Sequence, residues 1–191
     1  MLAAVDSAVA EWIAQHRFAP LNGLFVALGT VEHLGAIWIL CALALGIATR
    51  RGIWWTSALV VLTAVTTFAA DGVSFAIKAS THRTRPFVAH PQIHPLFVVH
   101  SSSFPAGHAA TAFAGATVLT YVAPRLWPLF GGLAAAVAFS RVYGGVHYPT
   151  DVLAGAAIGI VAGSLGVLAL VLLERWKLGP RPAVRLRPSC G

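Results

Sequence analysis

Charged side chains are scarce in this sequence: Asp, Glu, Lys and Arg make up 10% of its 191 residues, whereas an average soluble domain carries about 25%. Apolar residues make up 58%, and the mean hydropathy is +0.78. So little polar surface cannot cover a water-soluble particle of this size, which excludes a compact soluble enzyme and a disordered chain. The composition therefore predicts an integral membrane protein.

Acidic residues are scarcer still, with six Asp and Glu against thirteen Lys and Arg, which gives a net charge of +7. A balance this basic raises the question of nucleic-acid binding, but such binding needs a solvated basic face. The cations here lie in short gaps between apolar runs. We therefore interpret them first as signals of membrane topology and expect no nucleic-acid partner.

Cysteines number two, too few for a disulfide framework. Cys41 lies inside an apolar run, and Cys190 is next to last in a basic tail. We expect Cys41 to behave as a small buried hydrophobe rather than as a disulfide partner of Cys190.

Long apolar runs are abundant, and they predict an all-α fold, an integral membrane helix bundle with about five transmembrane helices. We assign 1–177 to a single membrane domain, followed by a basic, disordered cytoplasmic tail at 178–191. The predicted spans are 34–49, 53–77, 109–123, 126–139 and 152–173.

Residues 1–32 form an N-terminal region that we expect to lie in the membrane interface. Val5, Val9 and Trp12 recur at helical spacing with polar residues between them, which is typical of an amphipathic interfacial helix. The apolar stretch 18–31 is too short to span and contains helix-breaking residues, so we expect a second interfacial helix or a re-entrant piece.

The distribution of cations sets the predicted orientation. Five alternating spans leave eight cations on one side and five on the other, and the richer side is expected to be cytoplasmic. The C-terminus is then cytoplasmic. The polar stretch after the second span and the loop 140–151 both lie on the extracytoplasmic face, which is where we expect an active site.

Three short clusters of polar residues fall on that face, each beside the end of a predicted span. Their cations suit a group with two or more negative charges, because Arg offers a fork to phosphate oxygens and Lys a point charge. The second cluster opens a predicted helix, whose free N–H groups and dipole favour an anion. The clusters contain Lys78 and Arg85, then Gly107 and His108, then Arg141, His147 and Asp151.

The histidines and the carboxylate supply the reactive groups. Asp151 follows His147 by four residues, so helical winding would make the two neighbours. A carboxylate on one imidazole nitrogen fixes the tautomer and makes the other nitrogen a better nucleophile. His108 can then protonate a leaving oxygen. Phosphoryl transfer needs mainly positioning and charge stabilisation, which this set provides without a metal.

In these motifs the sequence resembles the type 2 phosphatidic acid phosphatase family (PAP2), whose active site is similar to that of vanadium haloperoxidases. The resemblance covers about residues 70–165. The family pattern is Lys-x6-Arg-Pro, Pro-Ser-Gly-His and Ser-Arg-x5-His-x3-Asp. The matches are Lys78, Arg85 and Pro86, then Pro105, Gly107 and His108, then Ser140, Arg141, His147 and Asp151.

The resemblance implies a metal-independent lipid phosphate phosphatase that works without a cofactor. His147 would form a phosphohistidine, Asp151 would orient it, and His108 would protonate the leaving lipid oxygen and then activate water. The phosphate oxygens would be held by Lys78, Arg85, Arg141 and the Gly107 amide.

Two departures from the family pattern stand out. Ala106 occupies the place of the motif serine, which removes a charge-assisted hydrogen bond of a kind worth about 1.5–3 kcal/mol. Ser101, Ser102 and Ser103 are nearby replacements. Many bacterial members have six spans where we count five, and residues 1–32 take the place of the first.

Alternatives remain open at this stage: a vanadate-dependent haloperoxidase-like site, a catalytically weakened lipid-phosphate-binding relative, and a metal-binding or transport protein. The last is suggested by the histidines in one polar stretch (His82, His90, His94, His100 and His108), although prolines disfavour a helix that would align them. Asp71, inside a span, is expected to pack helices or support the site. Gly155, Gly159 and Gly163 are expected to allow close helix packing.

The motifs account for recognition of a phosphate group only and do not identify the lipid that carries it. The substrates that fit are phosphatidic acid, phosphatidylglycerol phosphate, a polyprenyl pyrophosphate and a polyprenyl-phosphate sugar phosphate. The sequence does not determine the oligomeric state.

Overall fold

A computed structural model describes residues 2–32 and 35–178, and within these ranges the regular structure is helical, with no strand. The N-terminal region and the five predicted spans each correspond to helices. The helices are α1 (Leu2–Gln15), α2 (Ala19–Val31), α3 (Ala36–Ala48), α4 (Ile53–Thr81), α5 (Pro86–Ala89), α6 (Gly107–Val122), α7 (Trp127–Tyr143) and α8 (Pro149–Leu178). The tail from 179 onward, with Cys190, lies outside the described residues.

Three described segments are long and apolar enough to cross a bilayer, and α2 with α3 would make a fourth if the bent pair is one span. The three are Ile53–Ala89, Pro124–Tyr143 and Pro149–Trp176. Helix α6, with 16 residues, is shorter than the ~20 that a span needs. The all-α membrane bundle is therefore confirmed, while five as the number of spans stays a prediction.

Helix α6 lies at the centre of the bundle and packs against α3, α4, α7 and α8. Its sequence explains this position, because alanines and a glycine on several faces let neighbouring helices approach from different directions. Helix α3 approaches so closely at Gly115 that a Cβ there would lie 2.3 Å from Cγ of Trp38. Larger apolar side chains fill the space around α6, among them Trp38, Leu59, Leu119, Phe130 and Leu170.

The glycine face of α8 brings its backbone against that of α6. A Cβ on Gly155 would lie 2.3 Å from the carbonyl oxygen of Ala106, and one on Gly159 would lie 2.3 Å from that of Ala110. Gly163 meets Thr117 in the same way, 2.6 Å from its Cβ. The predicted role of these glycines in close packing is confirmed.

Helix α1 is amphipathic as predicted, but it turns a polar side chain toward the bundle and its large apolar side chains outward. The apolar side chains of Val5 and Trp12 are 56% and 61% exposed, while Asp6 is only 3% exposed. Asp6 and Ala10 thus face the bundle, and the apolar side faces outward, where a membrane would lie.

The polar segments meet at one end of the bundle, as the sequence predicted. Helices α4 and α7 end there, and α6 and α8 begin there. Three backbone hydrogen bonds join the segments: Ser103 N–H to the Arg83 carbonyl (2.9 Å), Leu96 N–H to that of Gly144 (3.1 Å), and Ala106 N–H to that of Asp151 (2.9 Å).

Candidate active site

A cavity of about 380 Å³ opens among these helix ends. Six of the seven predicted site residues line it, and the seventh, Asp151, is fully buried behind His147. Asp71, Ser101 and Ser102 also contribute to the wall. The six are Lys78, Arg85, Gly107, His108, Arg141 and His147. The structure therefore brings together residues that are as much as 73 positions apart in the sequence.

A tight turn after α7 places His147. Gly145 adopts a positive φ of 77°, a left-handed conformation that suits glycine at a helix C-terminus. The chain then folds back, so that the N–H groups of Val146 and His147 both donate to the Arg141 carbonyl, at 3.2 and 3.3 Å. His147 consequently lies outside helix α8, four residues before Asp151 but not on the same helical turn.

Asp151 closes the N-terminus of α8. Helix α8 begins at Pro149, and the Asp151 carboxylate accepts a hydrogen bond from the Tyr148 N–H at 2.8 Å, in the manner of a capping box. The same oxygen, Oδ2, accepts from the Ser103 hydroxyl. It lies 3.5 Å from Nδ1 of His147, slightly beyond hydrogen-bond distance.

The contacts of His147 determine its tautomer. Nε2 lies 3.3 Å from Nη1 of Arg85, and a guanidinium can only donate, so Nε2 must accept. The proton is then on Nδ1, facing Asp151. Burial lowers the pKa of His147 to about 4, an effect that Asp151 opposes and that Arg85 and Lys78 reinforce. At neutral pH the imidazole is neutral, with a lone pair on Nε2.

Arg85 joins the two polar segments. Its guanidinium donates to the Ser101 carbonyl (2.7 Å), the Val146 carbonyl (2.8 Å), the Ser101 hydroxyl (3.0 Å) and the Ser102 carbonyl (3.2 Å). Arg85 is 4% exposed, so a buried charge is here compensated by several hydrogen bonds. This network fixes the guanidinium beside Nε2 of His147.

The other two cations are less engaged. Nζ of Lys78 has the Ser102 carbonyl at 3.5 Å, the outer limit of a hydrogen bond. Arg141 stacks on Phe97, 4.6 Å from the ring centre, and its buried Nη2 has no hydrogen-bond partner in the described part of the chain. Together with the N-terminus of α6, these donors form a basic cavity suited to an anion.

The comparison with known proteins decides the family. The sequence pattern described as the PAP2 superfamily matches residues 54–175, more than half of the chain. The chain belongs to the PAP2 superfamily. The resemblance in the three motifs is thereby confirmed, and with it the prediction of a membrane phosphatase of this family.

Two relatives and one solved structure illustrate the likeness to other PAP2 proteins. An undecaprenyl-diphosphatase of Sulfolobus acidocaldarius is 33% identical over 153 residues, 77% of this chain and 69% of that protein. A lipid A 1-phosphatase of Porphyromonas gingivalis is 43% identical over 70 residues, 35% of this chain but only 16% of its own length. The crystal structure of a phosphatidylglycerolphosphate phosphatase from Bacillus subtilis has the same fold, with a TM-score of 0.71 at 24% identity; the match covers 92% of this chain and 89% of that one.

The serines beside Ala106 have separate roles in this PAP2 chain. Ser103 is fully buried and donates to Asp151, and the Ser101 hydroxyl accepts from Arg85. The Ser102 hydroxyl accepts from the Arg83 N–H at 3.0 Å. All three are therefore engaged in holding the polar segments, and of the three only Ser101 and Ser102 line the cavity.

The remaining sequence candidates have clear positions. Asp71 faces the start of α6, since a Cβ on Gly107 would lie 2.8 Å from its Oδ1. Among residues 2–32 and 35–178, no three His, Cys, Asp or Glu side chains form a group that could hold a metal ion. In the histidine-rich stretch, His90 faces α1, with Nδ1 2.6 Å from Oε1 of Glu11.

Sequence reasoning missed two contributors to the PAP2 site and a buried carboxylate that is hydrogen-bonded to α6. Arg83 contacts Asp151, although the sequence analysis counted it only among the cations that indicate membrane orientation. Gly29 of α2 makes room for Arg141, because a Cβ there would lie 1.3 Å from its Nη2. Glu32 is buried and accepts hydrogen bonds from Trp38 (3.0 Å) and Thr111 (2.8 Å). No local pattern signals these contacts: apart from the bond between Glu32 and Trp38, six positions apart, they join residues far apart in the sequence.

Proposed function

We propose that this protein removes the terminal phosphate from a membrane lipid phosphate or pyrophosphate through a phosphohistidine on His147. The observation that carries the proposal is the Nε2 atom of His147, with its lone pair, beside Arg85 in a cavity that Lys78 and Arg141 also line. The lone pair is the nucleophile. The cations offset the charge of the phosphate as it approaches.

The first step forms a bond between Nε2 of His147 and phosphorus and breaks the bond from phosphorus to the lipid oxygen. His108, at the start of α6, gives a proton to that oxygen, and the dephosphorylated lipid leaves. The imidazole gains positive charge as it attacks. Asp151, 3.5 Å from Nδ1, stabilises that charge and keeps the proton on Nδ1.

The second step returns the enzyme to its starting state. Water attacks phosphorus while His108 accepts one of its protons, and the bond between phosphorus and Nε2 breaks. Inorganic phosphate leaves, and Nε2 regains its lone pair. Lys78, Arg85, Arg141 and the Gly107 N–H hold the phosphate oxygens through both steps.

The proposed substrates are phosphatidic acid, phosphatidylglycerol phosphate, a polyprenyl pyrophosphate and a polyprenyl-phosphate sugar phosphate. Each places a terminal phosphate at the membrane surface on a long apolar anchor. The names of the relatives, which include an undecaprenyl diphosphate and lipid A among their substrates, support this class.

Phosphate release by the purified protein in detergent tests the proposal. We expect release from at least one of the four lipid classes, with the rate unchanged in EDTA, because the cations of the cavity are fixed side chains. Loss of activity in EDTA would contradict the metal-free mechanism. No release from any of the four would favour the weakened lipid-binding relative that Ala106 suggests.

We further propose that the cavity faces the extracytoplasmic side and that the C-terminus is cytoplasmic, as the excess of cations near the opposite helix ends indicates. A membrane-impermeant thiol reagent should then leave Cys190 unlabelled in intact cells and label it after the membrane is opened. Ready labelling of intact cells would reverse the orientation.

A further inference from the structure

Arg83 connects helix α1 to the catalytic carboxylate. Its Nη1 lies 2.5 Å from Oδ1 of Asp151, and its Nη2 lies 2.5 Å from Oδ2 of Asp6. The guanidinium also stacks on Tyr148, 4.3 Å from the ring centre. The planar fork of Arg allows this arrangement, in which one cation is shared between two carboxylates.

Asp6 is buried, and several hydrogen bonds fix its carboxylate. It is 3% exposed, and its Oδ1 accepts from the Thr150 N–H at 3.0 Å, while Oδ2 accepts from the Thr150 hydroxyl. Thr150 lies in the first turn of α8, next to Asp151. Asp6 therefore holds both Arg83 and the backbone from which Asp151 projects.

In this arrangement the two carboxylate oxygens of Asp151 have different partners. Oδ1 is occupied by Arg83, while Oδ2 accepts from Ser103 and Tyr148 and faces Nδ1 of His147. A buried carboxylate without such partners would be costly and free to turn. Because Oδ1 is bound by Arg83, Oδ2 is the oxygen that faces the imidazole of His147.

We propose that Asp6 is a positioning residue for the reaction, which acts through Arg83 to fix the orientation of Asp151 and offsets the charge of Arg83, so that Asp151 keeps its negative charge toward His147. The proposal rests on the function proposed above, and it makes helix α1 part of the catalytic unit. Asp6 itself does not touch the reacting atoms.

Charged and titratable groups surround His147 from every packed element. Lys78 comes from α4, Arg85 from the segment after it, His108 from α6, and Arg141 from α7. Asp151 of α8 is the nearest anion. Arg83 and Asp6 add one positive and one negative charge behind Asp151. Removing the charge of Arg83 and removing that of Asp6 should therefore shift the pKa of His147 in opposite directions.

The signs follow from the charges. Asp6→Asn leaves the charge of Arg83 uncompensated beside Asp151, which should lower the pKa of His147. Arg83→Gln leaves Asp151 uncompensated, which should raise that pKa. If α1 had a purely structural role, the two variants would not shift the pKa of His147 in opposite directions.

The matched control is Glu11→Gln. Glu11 lies on the same helix and also contacts the polar stretch, where its Oε1 lies 2.6 Å from Nδ1 of His90, whereas the carboxylates paired with Arg83 are Asp6 and Asp151. The change is again a carboxylate to an amide of the same shape. It should leave the activity and the pKa of His147 as in the wild type.

The experiment combines lipid phosphatase kinetics with an NMR titration of the full-length protein labelled with 15N-histidine, in detergent. We expect Asp6→Asn to lower kcat by about 10- to 100-fold, with KM unchanged within about twofold, by analogy with the loss seen when the hydrogen-bonding partner of a metal-binding side chain is removed. The His147 signal should titrate at lower pH in Asp6→Asn and at higher pH in Arg83→Gln. The double variant should lose less activity than the product of the single losses, because both act through one contact.

Other results would overturn the proposal: an equal loss in Glu11→Gln, titration shifts of the same sign, or losses in Asp6→Asn and Arg83→Gln that multiply. Because the titration needs no substrate, it decides the role of Asp6 even if the wild type releases phosphate from none of the lipids. That second outcome would refute the proposed function alone.

Discussion

Replacing His147 with alanine is expected to lower phosphate release by about 10⁴-fold or more, because removal of a nucleophile leaves only the effects of binding and charge. Nε2 of His147 is the atom that the geometry presents to phosphorus beside Arg85. The matched control is His94→Ala, which removes an exposed imidazole from the polar stretch and should retain wild-type activity. Initial rates with the preferred lipid measure both.

A chemical signature accompanies this prediction. Rapid quenching with a lipid labelled in its terminal phosphate should trap labelled protein whose phosphate is stable in alkali and released in acid, as expected of a phosphorus–nitrogen bond. The label should be absent from His147→Ala and present in His94→Ala. Activity in His147→Ala within about tenfold of the wild type would assign the nucleophile to another group.

Asp151→Asn is expected to lower kcat by roughly 10³- to 10⁴-fold, the size of effect seen when a carboxylate that orients a catalytic imidazole becomes an amide. The carboxylate accepts from Arg83, Ser103 and the Tyr148 N–H. An amide has one oxygen to accept these bonds and an NH2 group that must face a donor. It therefore fails to hold the Nδ1 proton of His147.

Asp71→Asn provides the comparison for that variant. Asp71 also lines the cavity, but it faces the start of α6 rather than the imidazole, so its loss should be much smaller than that of Asp151→Asn. Steady-state kinetics of the two variants separate the effects. Equal losses would mean that the cavity responds to its total charge rather than to the orientation of His147.

The positions of the candidate site residues could be predicted from the sequence because each lies beside the end of an apolar run, and helices of alternating direction bring those ends together at one end of the bundle. The relation between His147 and Asp151 was predicted only in part. Helical spacing suggested neighbours on one helix, whereas His147 lies in the turn before α8 and Asp151 caps the first turn. The turn depends on Gly145 and its positive φ, which periodicity does not reveal.

The bridge from Asp6 to Asp151 could not be predicted, because Asp6 lies 77 residues before Arg83 in the sequence and no local pattern joins them. In isolation, Asp6 interrupts an amphipathic helix and Arg83 adds to a charge count. Hydropathy also overlooks the difference between lipid-facing and protein-facing apolar surface. Helix α6 has the composition of a span, yet its residues are apolar because other helices surround them.

The contact of the α6 and α8 backbones at Gly155 and Gly159 has a mechanical consequence. Where helices meet through main-chain atoms, few side chains lie between them that could change rotamer, so we expect the two helices to move together. His108 and Asp151 project from the starts of these two helices, so we expect their spacing to change little when the protein flexes. We therefore expect any widening that admits a lipid headgroup to come from the side of Lys78, whose Nζ lies 3.5 Å from the Ser102 carbonyl, the outer limit of a hydrogen bond.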